Sequence, residues 1–378
     1  MKVIGIGGGG GNAVNYLYSQ NIPGLECVLI NSDIQALNSS SIPKKIIIGN
    51  KEGLGAAANP KLVKNLVRKS QKRINNELNL TNDVLVLVAG LGGGTGSGAT
   101  PLIAQLAKAK NIFTVVIVTL PFNFEGKKRI KQALQSLSEI RKNADLLILL
   151  ENDQLRYTYG DLILTDAFSK SDMQISQIIV GINKMLYDGL KENEHPLYEF
   201  FVENKGLIGY SSGIAEGKDR IEIAFDKAIS NPSISNFDFN KSHRIHVNFF
   251  TSHENELTSV EIKKIEEILT RNFNSETSHS YIIANDDKLK GKLRIDLFFA
   301  GFIFKNIKQD WDLELAKVLK SKNEELSLYF LEDEYSTSEI SEIISFLSDI
   351  YEDIGGDRLV INGLDVLDFK TVNETIVS

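Results

Sequence analysis

The chain of 378 residues has one cysteine and no apolar run long enough to cross a bilayer. One cysteine excludes an intramolecular disulfide, and Cys27 begins the apolar run 27–30, where we expect a small buried side chain. The regions of a signal peptide are also missing, because residues 1–5 already have the composition of a β-strand. We therefore expect a cytoplasmic protein without direct membrane insertion.

Basic residues are not in excess, since the net charge is −7 and the pI is near 5.5. This balance disfavours broad nucleic-acid binding and is compatible with a small basic patch. Histidines are few, and His243 and His246 would point to opposite faces of a strand, so we expect no metal site built from protein side chains. The pattern GxxxxGK[ST] is absent, which excludes a P-loop.

Glycine, in contrast, is concentrated in loops that follow apolar segments. The run 92–98 comes directly after the apolar stretch 84–89 and precedes an apolar helical segment. Glycines bring backbone N–H groups close to a ligand, and the start of a helix adds positive potential. This arrangement indicates a phosphate site.

Six short β-branched runs alternate with segments of helical periodicity in the N-terminal half. Because these runs are apolar on both faces, they predict an α/β fold with a parallel sheet that is covered on both sides. Ligands of such sheets bind at the carboxyl ends of the strands, where the glycine loops lie. The predicted strands are Val3-Ile4, Cys27–Ile30, Ile46–Ile48, Val84–Val88, Phe113–Thr119 and Leu146–Leu150.

The first glycine loop also satisfies the dinucleotide pattern GxGxxG at Gly5, Gly7 and Gly10, with Asp33 after the next strand. A dinucleotide-binding oxidoreductase is therefore one alternative, and tight turns that bind nothing are another. A third small-residue loop at 53–60 and the run 92–98 favour a nucleoside triphosphate. Glycine weakens a fold unless its conformational freedom is used, which argues against tight turns that bind no ligand.

Five motifs, in order, resemble FtsZ, the bacterial cell-division homologue of tubulin. Weaker similarity continues to about Gly301, so the resemblance covers roughly four fifths of the chain. The motifs are the loop from Gly5 to Asn15, the segment Asn31–Leu37, the loop from Gly53 to Pro60, the run from Gly92 to Gly98 and the segment Pro121–Arg129.

The resemblance implies that the ligands are GTP and GDP, with Mg²⁺ as the accompanying ion. It places backbone donors of two loops around the phosphates and closes the third loop over the γ-phosphate. The implied residues are Gly8, Gly9, Gly10, Gly11, Asn12, Asn31, Ala57, Ala58, Asn59, Gly93, Gly94, Thr95, Gly96, Ser97 and Gly98.

Four further residues would bind the nucleoside. By resemblance, Glu125 accepts hydrogen bonds from the ribose, Arg129 lies one helical turn on, and Phe168 stacks on the base. Asp172 would accept the N1–H and N2 amino hydrogens of guanine, which adenine lacks. Outside this family, Glu125 and Arg129 would be an ordinary surface ion pair.

The family fold divides the chain into four parts. A parallel-sheet GTPase domain at 1–171 is joined by a central helix at 172–190 to a second α/β domain at 191–303. A small α+β extension follows at 304–378. In the second domain we expect Arg244–Phe250 and Leu293–Ala300 as strands and a helix around Val260–Leu269.

Hydrolysis in this family is completed by acidic residues that one subunit inserts into the pocket of the next, in the pattern Asn-x-Asp-x-x-Asp. Here the three positions hold Glu192, Glu194 and Leu197, and Leu197 can neither accept a proton nor hold a water. Glu194 and Glu199 are the candidate catalytic residues, and we expect slow GTP hydrolysis. A solvated acidic turn without catalysis is the alternative.

The extension at 304–378 differs from the flexible linker and short peptide that usually end this family. Leu326–Leu331 and Leu359–Ile361 are predicted strands, and a capping box at Ser336 precedes a helical stripe from Ile340 to Ile354. The stripe packs within a small domain or docks a protein partner. The expected function is a head-to-tail GTP-binding filament in division or the cytoskeleton; the alternative is a non-division structural or signalling filament that recruits a partner through this extension.

Overall fold

The computed structural model describes most of the first 304 residues and three short segments beyond them. The described residues are 1–49, 55, 58–78, 84–160, 163–189, 200, 205–231, 234, 237–238, 242–273, 277–301, 303–304, 326–328, 359–361 and 364–365.

All six predicted strands of the N-terminal half are confirmed, and they pair in parallel in the order β6-β5-β4-β1-β2-β3. Their side chains are mostly buried on both faces, as expected for a sheet covered by helices. The strands are β1 (Lys2–Ile6), β2 (Glu26–Asn31), β3 (Lys44–Ile47), β4 (Leu85–Gly90), β5 (Thr114–Leu120) and β6 (Leu146–Glu151). Cys27 is buried in β2, which raises the pKa of its thiol to about 11.

Seven helices of the described chain belong to this half. One face of the sheet packs on α3, α4 and α5, and the opposite face packs on α1 and α7. The helices are α1 (Gly7–Ser19), α2 (Ile34–Asn38), α3 (Pro60–Glu77), α4 (Thr95–Lys108), α5 (Lys127–Arg141), α6 (Asn152–Tyr159) and α7 (Leu164–Gly189).

The central helix α7 begins at Leu164, eight residues before the predicted start at Asp172. The segment between them has no glycine or proline, and Asp166 lies in the first turn, where a negative charge favours the helix dipole. Its predicted apolar face is buried against the sheet. Gly181 lies in the middle of the helix, where a Cβ atom would be 3.0 Å from Asn248 Nδ2 and 3.1 Å from the Phe298 ring.

The second half contributes four strands to the same sheet. β7 pairs in parallel with β6 at only three positions, from Leu146↔Gly206 to Ile148↔Ile208, and the order continues outward as β7-β11-β9-β10. The predicted strands and helix of this half are confirmed. Its elements are β7 (Gly206–Glu216), α8 (Arg220–Ile229), β8 (Phe237–Asp238), β9 (Arg244–Thr251), α9 (Ser259–Asn272), β10 (Ser278–Asn285), β11 (Lys292–Ala300) and β12 (Ile303–Phe304).

Polar side chains are buried inside this second half. Arg294 Nε lies 3.2 Å from Asp296 Oδ1, and the Tyr210 hydroxyl donates to the same oxygen at 3.0 Å. The Arg294 guanidinium also lies 4.3 Å from the Phe250 ring centre. His246 contacts Ser280 and Asn248 through its two ring nitrogens, and burial lowers its pKa to about 3.

In the C-terminal extension the structure describes three strands. β13 (Leu326–Leu328) pairs in parallel with β14 (Leu359–Ile361), which pairs in antiparallel with β15 (Leu364–Asp365). β14 matches its prediction and β13 covers the first half of its own, while the predicted helix from Ile340 to Ile354 lies outside the described residues. Within the described chain, no helix combines the length and apolarity needed to cross a membrane.

Candidate functional site

Two helix starts lie side by side at the carboxyl ends of β1 and β4. α1 begins at Gly7 and α4 begins at Thr95; neither helix has a side-chain cap or an acidic residue in its first turn. A Cβ atom on Gly7 would be 3.0 Å from the Gly96 nitrogen, so the two first turns are in contact. First-turn N–H groups have no acceptor within their own helix, which makes this paired start suitable for an anion.

Six of the eight glycines predicted to line the phosphates fall into two groups. A Cβ atom on Gly10 would be 2.1 Å from the Val88 carbonyl oxygen, and one on Gly96 would be 2.2 Å from the Gly90 oxygen. A Cβ atom on Gly98 would likewise be too close to residues of α3. At Gly8, Gly11 and Gly93, in contrast, a Cβ atom would meet nothing within 4 Å. The first group lets helices pack closely on strands and on one another, whereas the second faces open space.

The loop between β4 and α4 is held by side chains of its surroundings. Ser97 Oγ accepts a 2.8 Å hydrogen bond from the Gly92 N–H. Ser32, at the end of β2, shares a 2.8 Å hydrogen bond with Thr95. The predicted residue Asn31 is buried, and its side-chain oxygen accepts from the Asp33 N–H at 3.2 Å. The bonds of Ser97 and Ser32 hold the loop between β4 and α4 in place.

The third small-residue loop is connected to the second by Gln132 of α5. Gln132 Nε2 donates to the Gly93 carbonyl at 2.9 Å and to the Ala58 carbonyl at 3.3 Å. Ala58 has a left-handed backbone with φ of 54°, and the Asn59 side chain caps α3 by accepting from the Leu62 N–H. Sequence reasoning did not identify Gln132, and the predicted residue Ala57 lies outside the described residues.

Asp33, the acidic residue of the dinucleotide pattern, has a structural task. Its carboxylate caps α2 by accepting from the Gln35 N–H at 2.8 Å and the Ala36 N–H at 3.2 Å. A dinucleotide site needs this type of carboxylate for a ribose. The geometry therefore disfavours the oxidoreductase alternative.

Three phenylalanines lie beside the glycine loops. The buried Phe122 stacks on Phe124 with ring centres 5.0 Å apart, and Phe168 of α7 meets Phe122 edge-on at 5.5 Å. Phe168 is 41% exposed, so its ring still presents a face to a ligand. Phe124 is 64% exposed and was not assigned a role from the sequence.

Asp172 lies one helical turn after Phe168 on α7, so both side chains project from the same side of the helix. Burial raises the pKa of its carboxyl group to about 7. The carboxyl group is therefore partly protonated at neutral pH, and a ligand that donates hydrogen bonds to it would favour the carboxylate form.

Glu125 and Arg129 form an i,i+4 ion pair, which is the interaction that their spacing alone predicts. Glu125 also accepts a 2.9 Å hydrogen bond from the Phe122 N–H, while Arg129 is exposed. A Cβ atom on Gly92 would lie 3.3 Å from Arg129 Cβ, so the pair stands next to the loop between β4 and α4.

The candidate catalytic residues Glu194 and Glu199 lie outside the described residues, together with Leu197. Among the residues that the structure describes, no group of three or more His, Cys, Asp or Glu side chains is arranged to hold a metal ion.

Comparison with known proteins agrees with this geometry. Residues 1–160 match the family model described as the GTPase domain of the tubulin/FtsZ family. The cell division protein FtsZ of Porphyromonas gingivalis is 36% identical over 308 residues, which cover 80% of this chain and 67% of that protein. The protein of the same name from Wigglesworthia glossinidia brevipalpis is 34% identical over 80% of this chain and 79% of its own length.

A solved structure shows the same fold. The FtsZ dimer of M. jannaschii, solved empty, superposes with a TM-score of 0.72 at 28% identity. The match covers 79% of this chain and 87% of that chain.

Proposed function

The chain belongs to the tubulin/FtsZ family, and from this premise we propose that it binds GTP and GDP, assembles head to tail into filaments and hydrolyses GTP slowly. The cellular role that fits the names of its relatives is division or a related cytoskeletal task in the cytoplasm.

The observation that carries the proposal is the contact between the two uncapped helix starts. Their first turns offer two sets of backbone donors to one anion, and the open space at Gly8, Gly11 and Gly93 leaves room for it. Gln132 links the Ala58 loop to the same edge, so a third backbone segment reaches the terminal phosphate. Mg²⁺ would be held by phosphate oxygens and water, as is usual when nucleotides bring this ion.

Base recognition follows from the neighbouring segment of α7. Phe168 offers an exposed ring for stacking, and the Asp172 carboxylate accepts two hydrogen bonds from guanine. Adenine has no matching pair of donors. Selectivity for guanine is therefore assigned to Asp172.

Slow hydrolysis rests on the sequence of the segment after α7. In a head-to-tail contact, this segment of one copy faces the nucleotide of the next, and the contact propagates because it is heterologous. Leu197 occupies the position at which a carboxylate would orient the attacking water. The lack of that carboxylate lowers the hydrolysis rate on the order of a hundredfold. Glu194 and Glu199 remain the candidate catalytic residues.

The test is phosphate release with GTP and Mg²⁺ across a series of protein concentrations, with sedimentation of the same samples. We expect a GTP-dependent pellet above a critical concentration, with phosphate release well below that of an ordinary FtsZ. A Leu197→Asp variant should raise release without changing nucleotide affinity. Release as fast as ordinary FtsZ would contradict slow hydrolysis, and absence of GTP binding would contradict the whole proposal.

The alternative, a filament that serves a process other than division, depends on the extension at 304–378. In that case the extension recruits a protein partner. Removing residues after Phe304 would then abolish partner binding and leave GTP-dependent assembly intact.

A further inference from the structure

The two edges of the ten-stranded sheet differ in how well they are protected. The sheet ends at β3 on one side and at β10 on the other. β3 is four residues long and carries the exposed Lys44 and Lys45, and lysine on an edge strand discourages pairing with another chain. β10 is eight residues long and contains no lysine, arginine, aspartate, glutamate, glycine or proline. β10 therefore has the features that let a further strand pair with it.

Half of the backbone groups of β10 point away from its neighbour β9. The two strands pair in parallel. The Ser278 N–H donates to the His243 carbonyl, and the Asp286 N–H at the other end donates to the Thr251 carbonyl. In a parallel ladder every second residue bonds to the neighbouring strand with both of its groups, so the even-numbered residues face β9. The outward residues are His279, Tyr281, Ile283 and Asn285.

The outward backbone groups of β10 are not used within the part of the chain that the structure describes. No described strand lies beyond β10, and the four outward residues make no further backbone hydrogen bond among the described residues. Ile283 is 40% exposed, although it is apolar and β-branched. Open backbone groups beside an exposed β-branched side chain are suited to the addition of a strand.

The sequence of β10 is complementary to itself in one antiparallel register. When Ile282 lies on a two-fold axis, Tyr281 lies opposite Ile283 of the second copy and His279 lies opposite Asn285. Outward residues then meet only outward residues, so every outward N–H of one strand meets an outward carbonyl of the other. A shift by two residues would place one outward residue of each strand beyond the end of the other.

The side chains agree with this register. An aromatic residue opposite a β-branched residue is a favourable cross-strand pair, which Tyr281 and Ile283 form twice about the axis. Like charges are not brought together, because the strand has no lysine, arginine, aspartate or glutamate. A second copy of this chain is therefore the occupant that fits the edge.

We propose that two copies of the chain associate through β10 in this antiparallel register, so that one sheet continues from one copy into the other. The contact is two-fold and closes on itself, so it makes a dimer. The head-to-tail contact of the proposed function is heterologous, and it is therefore a different contact.

The first experiment compares a proline on each edge of the sheet. Ile283→Pro removes an outward N–H and leaves the bonds to β9 in place. Lys45→Pro is the matched control: the Ile48 N–H donates to the Asn31 carbonyl, so the even-numbered residues of β3 face β2 and the Lys45 N–H points outward. In sedimentation velocity we expect Ile283→Pro to dimerise roughly tenfold or more weakly than the natural chain, and Lys45→Pro to dimerise as the natural chain does.

The second experiment tests the register by disulfide formation in a Cys27→Ala background. In Ile282→Cys the two cysteines lie directly opposite each other at a non-hydrogen-bonded pair, where Cα atoms are about 4.5 Å apart and a disulfide can form. Ser280→Cys is the control on the same face of the strand, because its two copies would be roughly 13 Å or more apart. Mild oxidation should link the Ile282→Cys chains and leave the Ser280→Cys chains unlinked.

Both experiments are done without nucleotide, so GTP-dependent assembly does not contribute and a failure of the proposed function would leave this result unchanged. A natural chain that is monomeric at about 100 µM would overturn the proposal. So would dimerisation of a folded Ile283→Pro protein as strong as that of the natural chain, or a disulfide at Ser280→Cys in place of Ile282→Cys. If circular dichroism shows that Ile283→Pro is unfolded, the two cysteine variants decide.

Discussion

The first half of the sheet, from β1 to β6, has strands whose middle positions are apolar, and its polar side chains lie at the strand ends, such as Lys2 at the amino end of β1 and Asn31 at the carboxyl end of β2. The second half buries polar groups within its strands, with Arg294, Asp296 and His246 all nearly inaccessible. Polar groups at an edge are available to a ligand, whereas polar groups inside a sheet are occupied by one another. The position of polar residues along the strands therefore separates the binding half from the half that supports it.

The largest expected effect concerns the buried pair in the second half. Asp296→Ala removes the carboxylate that pairs with Arg294 Nε and leaves the buried guanidinium with Asp286 alone, 3.4 Å from Nη1, so we expect a loss of about 3–5 kcal/mol in unfolding free energy. The double variant Arg294→Met with Asp296→Leu should lose much less, because the buried guanidinium and the buried carboxylate are removed together. Urea unfolding monitored by fluorescence compares the two, and equal losses would refute the argument.

The next prediction separates the two groups of glycines. Gly10→Ala places a methyl group against the Val88 carbonyl and should cost about 1–3 kcal/mol or more, seen as a lower thermal midpoint. Gly8→Ala should keep the fold within about 0.5 kcal/mol and weaken GTP binding, since its Cβ enters the space proposed for phosphate. An unstable Gly8→Ala protein with normal GTP affinity would contradict this division.

Asp172 gives a prediction on pH. Because its pKa is raised to about 7 and guanine needs the carboxylate, GTP affinity should fall about tenfold for each pH unit below 7 and level off above about 8. The free energy of unfolding changes with pH in the opposite direction. Between pH 3.8, the ordinary pKa of an aspartate, and about pH 7 the folded chain holds a proton that the unfolded chain has lost, so this group's contribution to stability falls as pH rises.

The control for this prediction is Asp172→Asn. An amide accepts one hydrogen bond and donates another, so the variant should prefer xanthosine triphosphate over GTP by roughly tenfold and lose the pH dependence around 7. Titration of the phosphates themselves is common to both proteins. A GTP affinity that changes equally with pH in both would exclude Asp172 as the guanine acceptor.

The smallest effect is expected at Gln132. Gln132→Ala removes both hydrogen bonds that hold the Ala58 loop near Gly93 and should weaken GTP binding several-fold, by about 1 kcal/mol. Gln135→Ala, an exposed position on the same helix, is the matched control. Nucleotide titration by fluorescence would show equal affinities if the loop did not contribute.

Local patterns were sufficient for the first half of the fold. The six strands were predictable because apolar β-branched runs have few alternatives to a buried parallel sheet. Gln132 was not, since its two acceptors are 39 and 74 residues away in sequence. The two kinds of glycine are also indistinguishable in sequence, because only the packed strand or helix decides whether a Cβ atom fits.

The second half was harder to anticipate for a related reason. Apolar and charged residues alternate in β11 in the order Leu293-Arg294-Ile295-Asp296-Leu297, which is typical of a strand with one solvent-exposed face. Both faces are buried instead, and the charged face contains the Arg294–Asp296 pair. Such an ion pair depends on tertiary packing, which the periodicity of a sequence does not predict.

Gly181 determines how closely α7 approaches the second half of the sheet. A Cβ atom at this residue would lie 3.0 Å from the Asn248 amide nitrogen and 3.1 Å from the Phe298 ring, tighter than most Cβ contacts. An alanine here would therefore require one of these side chains to move by a few tenths of an ångström. Glycine lets the central helix rest on both side chains without that adjustment.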